Sequence, residues 1–271
     1  MTTSIEAGAL RPSATPKDIL QTSAKAWFVV AAIGHWLFLA YIVGFYMPLL
    51  VGGGAPALET THLPNGYIPG DTVGNAAMVA HLVLAIAIIG GGPLQIIPQI
   101  RQRFPAFHRI NGRVYMASVV VSVLGGLYMT WTREPVIGGL LGQIGTSTSG
   151  ILALVFAGFA LYYAVNRRIQ LHSEWAFRLF LAASSVWFLR VGLMFWGVAA
   201  GGYAMETAFD ILYYAQFMVP LAAYELYRHM KKHGSDTGRK VTAAAIGLLT
   251  VVMAIGIVGA SLFMWLPRFT E

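Results

Sequence analysis

Apolar runs of about twenty residues or more recur from Trp27 to Leu266, and each is long enough to cross ~30 Å of hydrocarbon. Inside lipid every backbone N–H and C=O must be satisfied within the segment, so such runs fold as helices. Seven segments meet this description, at 27–50, 75–98, 114–132, 147–165, 175–199, 208–227 and 241–266. They leave no stretch long enough for a separate soluble domain. The expected architecture is all-α, with a tail at 1–26, a seven-helix transmembrane domain at 27–266 and a short tail at 267–271. The segment at 75–98 carries Gly90, Gly91, Gly92, Pro93 and Pro98, which predicts a kink or break in its inner half.

Composition agrees. Only 11% of the 271 residues are charged and 57% are apolar, against roughly a quarter charged in a soluble domain. The absence of cysteine excludes disulfides, thiolate chemistry, Cys-ligated zinc, iron–sulfur clusters and covalently attached haem, but not non-covalent haem b. The net charge of +7 sits in short loops between apolar runs, which points to membrane topology and not to nucleic acid. The expected location is a bacterial inner membrane, multi-pass, with the bilayer itself as the first partner.

Lysine and arginine are retained on the cytoplasmic side of a membrane, so their positions set the orientation. Arg11, Lys17 and Lys25 lie in the tail; Arg101, Arg103, Arg109 and Arg113 follow the second segment; Arg167, Arg168 and Arg178 follow the fourth; Arg228, Lys231, Lys232, Arg239 and Lys240 follow the sixth. All fifteen fall on one side, and the opposite side holds only Arg133 and Arg268. This predicts a cytoplasmic N-terminus and an outside C-terminus.

Ionisable groups within spans are costly and mark function or internal pairing. Counting ~1.5 Å per residue, Arg190 lies ~22 Å above the inner boundary, nearly level with His81. Tyr41, Tyr128, Tyr213 and Tyr214 reach the same depth. Two readings follow: a pocket in the outer half where Arg190 holds an anionic group, or an internal ion pair of Arg190 with Asp210 or Glu206. His35 lies only ~12 Å above the inner boundary, so it and His81 differ too much in height to be the two axial ligands of one haem. His35 is expected to be a hydrogen-bonded structural residue, with a proton relay or single haem ligand as the alternative for either histidine.

At the inner boundary the chain reads HRINGRVY from His108 and HSEWAFR from His172. Arg109 and Arg113 are four apart, and His172, Trp175 and Arg178 are spaced to share a helix face. Glu225 and Glu174 are the natural counter-ions. Positive-inside anchoring explains this cluster; a site for a phosphate, lipid head group or redox partner explains it equally in kind. His229 and His233, beside Lys231 and Lys232, lack a third ligand and read as a solvated loop, so no metal site is expected.

The pattern HRxxGRxY at His108, Arg109, Gly112, Arg113 and Tyr115, then HxxWxxR at His172, Trp175 and Arg178, then Leu189–Arg190, resembles the predicted bacterial membrane proteins of domain-of-unknown-function family 2306. The resemblance covers about residues 75–195. The family's second motif usually reads HRRWMxR; here Ser173, Glu174 and Ala176 replace two arginines and the methionine. The resemblance implies topology and carries no reaction with it. Two functions stay open: binding or transport of a small anionic or amphipathic molecule at the outer site, or a membrane redox protein holding haem b or a quinone.

Overall fold

The computed structural model describes residues 14–61, 63, 66–133 and 138–270. Among these there is no strand. The first helix, α1 (Pro16–Tyr41), begins eleven residues ahead of the apolar run. Thr15 and Asp18 form a reciprocal capping box, and Pro16 stands at the first helical position, where its missing N–H costs nothing. The chain continues through a π-helical turn at Ile42–Tyr46 into α2 (Met47–Gly53). After the loop come α3 (Thr72–Ile96), the short α4 (Pro98–Arg103), α5 (Pro105–Thr132), α6 (Gly139–Val165), α7 (Ile169–Ala183), α8 (Ser185–Ala199), α9 (Met205–His233) and α10 (Asp236–Gly259). A second π-helical segment, Ala260–Trp265, extends α10 toward a 3-10 turn at Leu266–Phe269.

Five of these helical stretches are long and apolar enough to cross a membrane: Pro16–Gly53, Thr72–Ile96, Pro105–Thr132, Gly139–Val165 and Asp236–Phe269. The pair α7 and α8 makes a sixth if counted as one span bent by 51°. The bend falls where none is expected. Pro93 and the three glycines stay inside a continuous α3, which stops at Ile97 ahead of Pro98, whereas the break lies at Ser184. Pro93 sits close to the end of α3, so the hydrogen bond it removes is near a terminus already short of partners.

α3 runs along α5, α6 along α7, and α1 along α10, with α8 between α10 and α9. One core cluster joins Phe38, Tyr41, Ile42 and Tyr46 to Leu82, Ile89, Trp187, Val191, Ile257 and Trp265. The α8–α10 approach is backbone-close: a methyl on Gly256 would collide with the Val191 carbonyl. At the loop end of α3 and α5, the Arg133 Nε donates to Asp71 at 2.9 Å and its second nitrogen to Asn75 Oδ1 at 2.8 Å. Asn75 in turn bonds both the N–H and the C=O of Ile68, tying that residue to the start of α3. An open groove of about 790 Å³ runs beside this clasp along α3; its walls are mostly apolar and do not include Arg190.

Candidate anion site

Arg190 lies on α8, with its guanidinium carbon 5.5 Å from the centre of the Phe38 ring on α1. Its one hydrogen bond among the described residues runs back to the carbonyl of Val186 on the same helix, at 3.2 Å. Tyr41, Tyr46 and His81 are the other groups within electrostatic reach of the charge. No carboxylate pairs with Arg190 among the described residues, and Asp210 is exposed. The internal ion pair of Arg190 with Asp210 or Glu206 is therefore not formed. At the depth that residue counting gives Arg190, a cation without a counter-charge costs on the order of 3 kcal/mol on insertion scales, which a bound anion would offset.

The surroundings are rich in unspent donors. The Tyr41 hydroxyl donates to Tyr46 at 3.1 Å, so the Tyr46 hydrogen remains to be given. The Trp265 ring lies tilted against Phe38 at 5.3 Å, and its indole N–H is buried with no partner among the described residues. Both π-helical segments of the described chain thus border Arg190's neighbourhood, and such segments recur at functional sites. Phe45 and Phe269 complete the ring of aromatic faces around Tyr41. His81 keeps Nδ1 buried and unpartnered.

Depth counting brings together Arg190, Tyr41 and His81, and it misses Phe38, Tyr46 and Trp265. The other tyrosines go elsewhere. Tyr128 is 40% exposed on α5. Tyr213 packs its ring on Gly138 and its backbone on Gly145, and the Tyr214 hydroxyl reaches the Leu141 carbonyl at 3.4 Å, so both serve the α6–α9 contact.

His35 is fully buried. Its Nδ1–H donates to the Ala31 carbonyl at 2.7 Å, which leaves Nε2 to accept the Ser184 hydroxyl at 2.9 Å. Neither nitrogen is left for iron, so His35 is a structural residue clasping α1 to the bend between α7 and α8, and the haem-ligand alternative for it is set aside. The Trp187 ring lies 4.1 Å away and closes the niche.

At the opposite end, Arg178 donates to Glu225 at 2.7 Å while its guanidinium covers the Trp175 ring at 4.5 Å. Arg228 bonds Glu225 at 3.0 Å and also Glu174, and Tyr224 lies between the two arginines. This network joins α7 to α9. Arg113 and Arg109 are exposed on α5 and stand outside it. His172 bonds the Ala160 carbonyl of α6 at 2.8 Å and so anchors α7 to α6 instead of meeting Glu225. His108 lies within electrostatic reach of Arg101 and His172.

These features define a membrane protein built from several apolar helices, with Arg190 inside it paired to no carboxylate among the described residues. The chain belongs to the domain-of-unknown-function family 2306 of predicted membrane proteins, whose profile matches residues 78–228. No curated protein and no solved structure matches it. The matched region holds His81, Arg190 and the α7–α9 network, while Phe38, Tyr41, Tyr46 and Trp265 lie outside it.

Proposed function

We propose that this protein binds or transports a small organic anion at Arg190, in the outer half of the membrane. The observation that carries the reading is an internal guanidinium with no carboxylate partner among the described residues, set among aromatic rings and unspent hydrogen-bond donors. Arg190 supplies a planar fork suited to a carboxylate. Tyr46 and Trp265 supply further donors, and Phe38 and Tyr41 an apolar wall for the body of the molecule.

The test uses purified protein in detergent with benzoate and octanoate as probes. Either probe is expected to raise the Tm of the parent and to leave Arg190→Lys unmoved, because a compact ammonium does not reproduce the fork. A Tm response equal in parent and Arg190→Lys, or none with any small organic anion, overturns the reading. An absorption scan of the same preparation checks the redox alternative, since a Soret band that shifts on reduction would favour haem.

We also propose that α9 is a further span, giving seven, with the N-terminus cytoplasmic and the C-terminus outside a bacterial inner membrane. The fifteen-to-two distribution of basic loop residues supports this, as does the 29-residue length of α9, ~43 Å of helix. Reporter fusions after Glu59, Arg168 and the C-terminus test it, and a cytoplasmic C-terminus overturns it.

A further inference from the structure

α5 begins nine residues ahead of the apolar run that starts at Val114, and its exposed side stays apolar through that extension. Phe107, Ile110, Val114, Val121, Leu124 and Tyr128 recur at helical spacing and are each 40–61% exposed, so one continuous apolar strip faces away from the protein. From Phe107 to Tyr128 the strip covers ~31 Å of helix, which matches the ~30 Å of hydrocarbon in a bilayer. The opposite side of α5 is fixed against α3. There the Asn111 amide donates to the Gly91 carbonyl at 3.0 Å, and the Tyr115 ring lies against Gly92.

Arg109 and Arg113 run along the edge of this strip at the end nearest α4. Each stands one residue, about 100° of turn, ahead of Ile110 or Val114, and at four apart the two lie one above the other. Both are exposed, as are Arg101 and Arg103 on α4 and Phe104 at the joint between the helices. Among the described residues none of these four arginines forms an ion pair. The sequence holds no Asp or Glu between Asp71 and Glu134, and Glu174 and Glu225 are committed to Arg178 and Arg228. An arginine beside a lipid-covered surface lays its stem along the apolar side chains and carries its guanidinium to the phosphate layer.

We propose that the α4 end of α5 is a binding surface for an anionic phospholipid, whose phosphate is held by Arg109 and Arg113 and whose acyl chains lie along Phe107, Ile110 and Val114. The guanidinium fork matches a phosphate, and Arg101 and Arg103 widen the positive field around it. With no carboxylate at hand to meet an ammonium, an anionic head group is favoured over a zwitterionic one. The occupant is a lipid and not a free ion, because the arginines border a strip that acyl chains cover. This surface is separate from Arg190, and it is open as it stands.

Protein in neutral detergent is mixed with equal amounts of phosphatidylglycerol and phosphatidylcholine of the same chain length, and the lipids it retains are counted by native mass spectrometry. The parent is expected to prefer phosphatidylglycerol by about tenfold. Arg109→Gln with Arg113→Gln should abolish most of that preference. Arg167→Gln with Arg168→Gln removes the same charge from an exposed pair between α6 and α7 and should leave it in place. Inorganic phosphate, compared with chloride at equal ionic strength, should not displace the lipid. No preference in the parent, an equal loss in the two double variants, or displacement by inorganic phosphate overturns the proposal.

Discussion

Between α7 and α9, Arg178 and Arg228 are held by Glu174 and Glu225. In the middle of α8, Arg190 is held by a carbonyl of its own helix and the face of Phe38. Both regions stack arginine on aromatic rings, so the stacking does not distinguish them. Pairing does. A cation whose counter-charge comes from the protein fixes two helices relative to each other, and its removal strands an acid. A cation whose counter-charge is missing contributes nothing comparable to the fold, and leaves an electrostatic demand for something from outside.

The largest effect expected from this contrast is on binding. Arg190→Gln should weaken the benzoate or octanoate response by about a hundredfold, the weight of a charge-assisted bidentate contact. Arg178→Gln should leave that response within a factor of about two. Equal losses from the two substitutions would erase the distinction between the regions.

His35 sharpens the contrast from within the same core cluster as the Arg190 aromatics, since it is a buried polar group with every partner supplied. Ser184→Ala removes the donor to Nε2 and should cost about 1–3 kcal/mol of stability, the penalty for an acceptor left unsatisfied. Anion binding should persist. Chemical or thermal denaturation of the variant checks this, and a loss below about 0.5 kcal/mol would mean that the clasp at the bend is not formed.

The α7–α9 pair should show a smaller coupling. Glu225 is 47% exposed, so solvent screening leaves only about 0.5–1 kcal/mol in a double-mutant cycle of Arg178→Met and Glu225→Gln. No coupling would mean that the two side chains do not meet.

The smallest effect concerns the Arg133 clasp. The Gly74 N–H at the start of α3, and then Arg133, hold the Asp71 carboxyl below its ordinary range. A carboxyl whose folded pKa is depressed gives stability that is fully present above its unfolded pKa and is lost as pH falls through the folded value. The Tm of the parent should therefore decline as the pH drops below the ordinary carboxylate range, and Asp71→Asn should flatten that decline. Parallel acid limbs in the two proteins would remove Asp71 from the account.

Much of this arrangement is written in the sequence, and what is missing has physical causes. Loop charges and apolar runs locate the helices because hydrocarbon thickness and backbone satisfaction leave few alternatives. The Arg178–Glu225 pair is legible because both groups stand near the same ends of their apolar runs by residue counting, and each needs the other. Depth alone, however, says nothing about direction around a helix. Tyr128, Tyr213 and Tyr214 share the level of Arg190 and face elsewhere, while Tyr46 and Trp265 lie in π-helical segments, where the extra residue per turn rotates side chains off the expected stripe. The HRxxGRxY run shows the same failure at short range. Its arginines draw attention by their charge, yet the buried face belongs to His108, Asn111 and Tyr115. The bend at Ser184 is carried by no glycine or proline and is visible only once His35 is seen bonded to it.

The central claim, that Arg190 has no acidic partner among the described residues, is tested most directly by the thermal stability of Arg190→Met with and without Asp210→Asn. The account predicts that the Tm of Arg190→Met is no lower than that of the parent, because no carboxylate is stranded, and that adding Asp210→Asn changes nothing further. A clear fall in Tm with Arg190→Met that is recovered by Asp210→Asn would contradict it, and would make Arg190 half of an ion pair instead of the seat of a ligand.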